Sequence, residues 1–98
     1  FHVPHLLDLE VTQVIRRYLH HHILSNHRAT QAIDDFLDFP LTRYPHQPLL
    51  SRIWELRENF TAYDAAYVSL AEVLDIPLVT CDAKLMAAPG HSARIVLV

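Results

Sequence analysis

Between His5 and about His22, apolar side chains return every three or four residues, as they do on one face of an amphipathic helix. Pro4 stands just before this segment, and its fixed φ and missing N–H suit the first turn of a helix. The pattern therefore predicts a first long helix whose inner stripe is Leu7, Val11, Val14, Ile15 and Tyr18.

A second helix is predicted to begin at Ser25 or Asn26, either of which can cap it, and to run through about Leu37 before Pro40 stops it. Its inner face is expected to hold Ala29, Ile33 and Leu37. Its acids, Asp34, Asp35 and Asp38, are expected to form a solvated face.

The second half of the chain alternates strand and helix patterns. The segments LTRY, IPLVT and RIVLV are short and rich in apolar or β-branched residues, which is typical of strands. The segments PLLSRIWELREN and TAYDAAYVSLAEVLD have helical periodicity, and the first is expected to bury Leu49, Ile53, Trp54 and Leu56. We expect IPLVT and RIVLV to be buried parallel strands, because strands separated by helices form βαβ units. The expected fold class is α/β, with helices on both faces of a mostly parallel sheet.

Composition excludes several classes of protein. The 98 residues, 51% of them hydrophobic, suffice for one domain over residues 1–98 and not for two. The single glycine, Gly90, excludes phosphate-binding loops and dinucleotide fingerprints, which need several glycines. The single cysteine, Cys81, excludes an internal disulfide and a Cys-rich zinc site. No segment has the length of a membrane span or the pattern of a secretory signal, so we expect a cytoplasmic protein.

Three acidic side chains stand where an α/β fold places its ligands. Asp82 directly follows the predicted strand IPLVT, and Asp64 lies in the first turn of a predicted helix. In open parallel sheets, ligands collect beyond the carboxyl ends of the strands, where helix N-termini gather. Glu10 lies about 80° from the centre of the first apolar stripe, at its border, and could face the same cleft.

Each acid also has an explanation that involves no ligand. Asp64 stands three residues after Thr61, as in a capping box, and Asp82 can cap the short helix AKLMAA. Glu10 can pair with Arg17 or with a neighbouring helix. Together, however, acids in one partly buried cleft repel each other, and a divalent cation relieves that repulsion. Oxygen ligands favour Mg²⁺ or Mn²⁺, which polarise a phosphoryl oxygen and activate water for phosphodiester hydrolysis.

Four segments, LLDLEVTQVIRR, LTRYP, LRENFTAYDAAYVSLAEVLDIPLVTCDAKL and RIVLV, cover nearly the whole chain and resemble a PIN domain. More narrowly, they resemble the VapC-type ribonuclease toxins of bacterial toxin–antitoxin pairs. The resemblance implies a three-layer α/β/α fold, a four-acid metal site and cleavage of single-stranded or looped RNA. It also implies a homodimer and a cognate VapB-type antitoxin.

By position, the resemblance makes Glu10, Asp64 and Asp82 the catalytic, metal-binding acids, with Thr61 and Thr80 as supporting hydroxyls. The family's first acid, an aspartate that ends an N-terminal strand, has no counterpart in this sequence. We expect the N-terminal strand that carries it to belong to the native protein and to be absent from this sequence; the alternative is that a neighbouring chain supplies it. The site would then be one ligand short, which predicts an unstable or inactive fragment.

RNA binding would need local cations, because the formal charge of −3 provides no overall basic field. The candidates are Lys84, which lies two residues after Asp82, and Arg16, Arg17 and Arg43. Trp54 and Tyr63 can stack on bases, although aromatic residues at helical spacing more often belong to a core. Leu9 lies on the outer face of the first helix and is a candidate for a dimer or antitoxin contact.

The leading hypothesis is therefore a metal-dependent endoribonuclease toxin. A second hypothesis is a non-catalytic binding module whose acids only cap helices, and it is motivated by the missing first acid. A third is a deoxyribonuclease of the same architecture.

Overall fold

The structure is a computed structural model that describes every residue from Phe1 to Val98. Its contacts divide the chain into two compact units, Phe1–Arg43 and Tyr44–Val98, which are described separately below. A single domain over residues 1–98 stays a prediction. No helix is both long enough and apolar enough to cross a membrane.

The mixed α/β class predicted from the sequence is confirmed. The elements in chain order are β1 (His2–Pro4), α1 (Leu6–His20), α2 (Asn26–Asp38), β2 (Thr42–Tyr44), α3 (Leu50–Glu55), α4 (Ala62–Leu74), β3 (Leu78–Thr80), α5 (Ala83–Ala87) and β4 (Ile95–Leu97). A 3₁₀ turn, Gln47–Leu49, leads directly into α3. The strands pair two by two, β1 with β2 and β3 with β4.

In the first unit, α1 and α2 pack against each other. Ser25 caps α2, because its Oγ accepts a hydrogen bond of 3.2 Å from the Arg28 N–H, as the sequence predicted. The predicted inner position of Leu37 is wrong, since this side chain is 67% exposed. The buried side of α2 instead runs from Ala29 to Phe36, whose ring lies 5.7 Å from the Arg43 guanidinium. The buried stripe of α2 therefore includes Phe36 and not Leu37.

The second unit is built around α4, which contributes most of its buried residues. The core cluster consists of Leu56, Phe60, Ala65, Val68 and Leu85. Ser69 is fully buried beside this cluster, and its hydroxyl donates a hydrogen bond of 2.7 Å to the carbonyl of Ala65 within the same helix. The hydroxyl is thereby satisfied without a partner from another element.

The strands β3 and β4 are parallel, as predicted, with Leu78 opposite Ile95 and Val79 opposite Val96. The prediction that both strands are buried is wrong. Leu78 and Ile95 pack on the core cluster, whereas Val79 and Val96 are 61% and 45% exposed. Because successive side chains of a strand point to opposite faces, Leu78 and Ile95 face the core cluster while Val79 and Val96 face away from it.

The prediction that Trp54 belongs to the core is also wrong. Leu49 and Leu56 are buried and Ile53 is half-buried, as expected, but the Trp54 side chain is 67% exposed. Successive residues of a helix are about 100° apart around its axis, so Trp54 and Ile53 lie on different faces of α3. Tyr63, the other aromatic residue considered for base stacking, is 64% exposed.

Candidate functional site

Asp64 lies exposed in the first turn of α4. The helix begins there because Thr61 has extended backbone angles and its Oγ1 accepts a hydrogen bond of 3.1 Å from the Asp64 N–H. The following residues, Ala65 and Ala66, are buried, so the core fixes the start of the helix. The cap predicted at this position is therefore formed by the threonine hydroxyl, and the Asp64 backbone is its donor.

Asp82 follows β3 and caps α5. Its Oδ1 accepts a hydrogen bond of 2.9 Å from the Lys84 N–H, which confirms the predicted cap. The Asp82 N–H in turn donates a hydrogen bond of 3.0 Å to Thr80 Oγ1. Thr80 and Thr61, predicted as supporting hydroxyls, thus each accept a hydrogen bond from the backbone of a predicted site acid. Their contribution to a reaction stays a prediction.

The two aspartates share a structural setting in the second unit. Each stands at the start of a helix, and α4 and α5 both pack against β3. Both side chains are exposed, so their carboxylates are accessible to solvent and to a ligand. This arrangement is the one expected where helices start beside the ends of parallel strands.

Glu10 belongs to the first unit, where it is exposed on α1. It borders a shallow apolar hollow formed by Leu7, Val11, Val14 and Ile15, which agrees with its predicted place at the edge of the stripe. In neither unit does the structure gather three or more His, Cys, Asp or Glu side chains in an arrangement that could hold a metal ion. The predicted joint site of Glu10, Asp64 and Asp82 therefore stays a prediction.

The predicted RNA-binding cations differ in their surroundings. Lys84, Arg16 and Arg17 are exposed. Arg43 is half-buried, and its Nε donates hydrogen bonds of 2.9 Å to both carboxylate oxygens of Asp8. Arg43 thus takes part in the packing of the first unit, and its contact with RNA stays a prediction.

Sequence analysis missed an ion pair in the second unit. Arg52 donates hydrogen bonds of 2.8 Å and 2.9 Å to the two carboxylate oxygens of Glu72, which also accepts 2.7 Å and 3.0 Å bonds from the Ser92 N–H and hydroxyl. The hydrogen bonds from Arg52 are the main reason why the pKa of Glu72 falls from 4.5 to about 2. No local pattern could have revealed the pair, because its members are 20 residues apart.

A second missed feature lies at the end of α3. The Arg57 guanidinium stacks over the Trp54 ring, 4.5 Å from its centroid, and Arg57 NH1 donates a hydrogen bond of 2.9 Å to the Trp54 carbonyl. The spacing of three residues could have indicated this contact, since residues three apart are neighbours on a helix.

No protein-family model matches the chain. Ribonuclease VapC12 of Mycobacterium tuberculosis is 40% identical to it over 97 residues, which cover 99% of this chain and 75% of that protein. Ribonuclease VapC1 of the same organism is 47% identical over 96 residues, covering 97% of this chain and 72% of that protein. Ribonuclease VapC9, also from M. tuberculosis, is 44% identical over 84 residues, or 86% of this chain and 66% of that protein.

These similarities extend over nearly all of the chain and most of each relative, and they include the segments that start α4 and α5. The α/β structure with its parallel strand pair agrees with them. The chain belongs to the VapC ribonuclease family.

Proposed function

We propose that this chain is an endoribonuclease toxin of a toxin–antitoxin pair, and that its activity depends on Mg²⁺ or Mn²⁺. The observation that carries the proposal is the similarity to relatives named as ribonucleases, 40% and 47% identical over 97 and 96 residues. The family membership also supports a cognate VapB-type antitoxin as a partner, and we propose a homodimer as the assembly.

The donor atoms of the proposed site suit these ions. Asp64 and Asp82 offer carboxylate oxygens. Cys81, next to Asp82, is the only cysteine of the chain, so the starts of α4 and α5 offer no pair of thiolates for a softer metal. Mg²⁺ is usually held by one or two carboxylates together with water and substrate phosphates, so two aspartates are an adequate protein contribution. Glu10 is the proposed third ligand. A bound ion would polarise the phosphoryl oxygen and supply an activated water.

The chain's own residues have separate tasks in this proposal. Thr61 and Thr80 hold the backbone of Asp64 and Asp82 through hydrogen bonds of 3.1 Å and 3.0 Å, and thereby orient the two acids. Lys84 is exposed two residues beyond Asp82 and offers a cation to the RNA backbone. Arg16 and Arg17 are exposed on α1 and are the further proposed phosphate contacts.

The test replaces each aspartate by asparagine and measures Mg²⁺-dependent cleavage of RNA. Asparagine caps helices as well as aspartate does, so Asp82→Asn removes the charge and keeps the hydrogen bond to the Lys84 N–H. We expect Asp64→Asn and Asp82→Asn each to lower the rate by about 100-fold or more, because a ligand that stabilises developing charge is lost.

Asp75→Asn is the matched control. Asp75 is the C-cap of α4, the helix whose first turn holds Asp64, and its side chain is 94% exposed. Its backbone lies in the left-handed region at φ 52°, which asparagine tolerates. This variant makes the same change of charge on the same helix and should cleave RNA like the wild type. Unchanged cleavage by both site variants would refute the assignment of the acids.

One observation favours a second candidate, a non-catalytic module that binds a partner chain. Neither unit gathers three ligating side chains. Calorimetric titration with Mn²⁺ separates the two candidates. The nuclease should bind the ion and lose affinity in the Asp64→Asn variant, whereas a module whose acids only accompany helix caps should show no specific site.

A further inference from the structure

The last turn of α3 presents an aromatic ring to solvent, and an arginine that follows the helix lies against it. Trp54 is 67% exposed, and the Arg57 guanidinium lies 4.5 Å from the centroid of its ring. Arg57 NH1 also donates a hydrogen bond of 2.9 Å to the Trp54 carbonyl, so the arginine is held by both the ring and the backbone of the same residue. The pair is thus ordered before any ligand arrives, which lowers the entropic cost of binding.

We propose that Trp54 and Arg57 form a stacking platform for an unpaired base of RNA, an inference that rests on the proposed ribonuclease function. Every base has a π-face that can stack on an indole, and such stacking tolerates any sequence. The planar guanidinium stacks on aromatic rings and also carries the charge that attracts phosphate. An indole and a guanidinium together therefore match both parts of a nucleotide.

The neighbouring residues favour RNA over a protein partner. Tryptophan and arginine are common in protein–protein interfaces too, but glutamate is depleted from them, whereas Glu55 directly follows Trp54 and Glu58 directly follows Arg57. Glu55 is 3.0 Å from Arg52, and Glu58 is 3.6 Å from Arg57, so each glutamate is paired with an arginine. This pairing limits the repulsion that the two carboxylates would exert on a phosphate.

The segment that joins the platform to the cap of α4 is anchored in the core. Leu56 and Phe60 are buried in the core, and the Phe60 N–H donates a hydrogen bond of 3.0 Å to the Leu56 carbonyl. The five residues from Arg57 to Thr61 are joined by four Cα–Cα steps, so their two ends can be at most about 14 Å apart even if the segment is fully extended. This short connection joins the platform to Thr61, the cap of the helix whose first turn holds Asp64, and a base stacked on Trp54 would help to hold a strand for cleavage there.

Trp54 is the only tryptophan, so intrinsic fluorescence reports on the platform directly. The full chain with Asp64→Asn and Asp82→Asn is titrated with an unstructured oligoribonucleotide and with an abasic oligoribonucleotide of equal length. We expect the base-containing strand to quench the fluorescence with increasing concentration and to bind more tightly than the abasic one. Equal quenching and equal affinity for the two strands would overturn the proposal.

Variants then measure the contribution of each partner by the anisotropy of labelled RNA. Trp54→Ala should weaken binding by about 5- to 100-fold, the usual range for one lost base stack, and Trp54→Phe should restore part of the affinity. Arg57→Lys keeps the charge and loses the stack, so it should bind more weakly than the wild type. Leu50→Ala, a change at another exposed position of α3, is the control and should bind normally.

The outcome for the platform can be told apart from the outcome for the nuclease. In the catalytically intact chain, Trp54→Ala should raise KM with little change in kcat, as expected for a residue that binds substrate away from the reacting atoms. RNA cleavage without any response of Trp54 to RNA would refute the platform and leave the nuclease standing. Base-dependent quenching in a chain that never cleaves RNA would uphold the platform and refute the nuclease.

Discussion

Replacing Glu72 by glutamine removes a carboxylate that joins three segments of the second unit. Glu72 lies on α4, receives two hydrogen bonds from Arg52 on α3, and accepts two more from Ser92 in the loop before β4. Arg52 also donates to the carbonyl of Gly90 in that loop. Glutamine has the same shape, but it presents an NH₂ group to a guanidinium and leaves Arg52 with only the exposed Glu55 as a counter-charge.

The size of the effect follows from the pKa of Glu72. A fall from 4.5 to about 2 corresponds, at about 1.4 kcal/mol per pKa unit, to an upper bound of about 3.5 kcal/mol of folding free energy. The Glu72 side chain is only 9% exposed, but that of Arg52 is 34% exposed, so solvent screens part of the attraction. We therefore expect Glu72→Gln to lower the free energy of unfolding by about 2 kcal/mol near neutral pH.

The pH dependence of this loss has a definite sign. The folded-state pKa of Glu72 is lowered, so its stabilisation is fully present above the unfolded pKa of 4.5 and disappears as the pH falls towards about 2. The glutamine variant has no such group. The difference in unfolding free energy between wild type and variant should thus be largest near neutral pH and should fall below half of that value by about pH 3.

Urea unfolding followed by far-UV circular dichroism measures this difference at both pH values. Glu55→Gln is the matched control, because Glu55 pairs with the same arginine through one 3.0 Å contact but its side chain is 63% exposed. That variant should lose less than about 0.5 kcal/mol. The reasoning fails if Glu72→Gln is no more destabilising than Glu55→Gln, or if its effect is the same at low and neutral pH.

Two further predictions concern the backbone of the second unit, and thermal or urea unfolding checks both. Gly90→Ala should destabilise the chain by about 1 to 3 kcal/mol, because Gly90 has φ +94°, which L side chains rarely adopt. An added Cβ would also lie 2.8 Å from the side-chain nitrogen of Asn59, but that side chain is exposed and can move, so the backbone strain is the main cost. Wild-type stability would contradict this. Thr61→Ala removes the cap of α4 and should lower the free energy of unfolding by about 1 kcal/mol, whereas Thr61→Ser keeps the hydroxyl and should lower it little. Equal losses in the two variants would show that the hydroxyl does not act as the cap.

The sequence predicted those parts of the fold that depend on neighbours along the chain. The caps at Ser25, Thr61 and Asp82 are all formed, because each is a hydrogen bond between residues two or three positions apart. The order of helices and strands after β1 was predicted for the same reason, since hydrophobic periodicity is a local property; β1 itself was not predicted. The parallel pairing of β3 with β4 also follows, because a helix separates the two strands.

Burial was predicted less well, because it depends on what surrounds an element. Trp54 and Leu37 are as hydrophobic as their buried neighbours, yet each side chain is 67% exposed. Val79 and Val96 are exposed although their strand patterns are apolar throughout. The pairing of Arg52 with Glu72 lies beyond sequence analysis for a different reason, since it joins residues on two helices that only the tertiary fold brings together.

For the candidate site, the sequence predicted the local position of each acid correctly. Asp64 does lie in the first turn of a helix, Asp82 does cap one, and Glu10 does lie at the edge of an apolar stripe. Whether the three share a cation is a question of tertiary distances, which no periodicity contains. The resemblance to VapC-type toxins supplied the link between them, and the relatives at 40% and 47% identity confirm that family.

A helix cap and a metal ligand need not exclude each other at these positions. At α4, the cap is the hydroxyl of Thr61, so the carboxylate of Asp64 is not needed to begin the helix. At α5, the cap uses Oδ1 of Asp82, but an ionised carboxylate has two oxygens and roughly four acceptor sites. The hydrogen bond from the Lys84 N–H fixes the orientation of the group and leaves Oδ2 for a cation. Asp82→Asn therefore separates the two roles, since it should keep the stability of the chain while abolishing a metal-dependent activity.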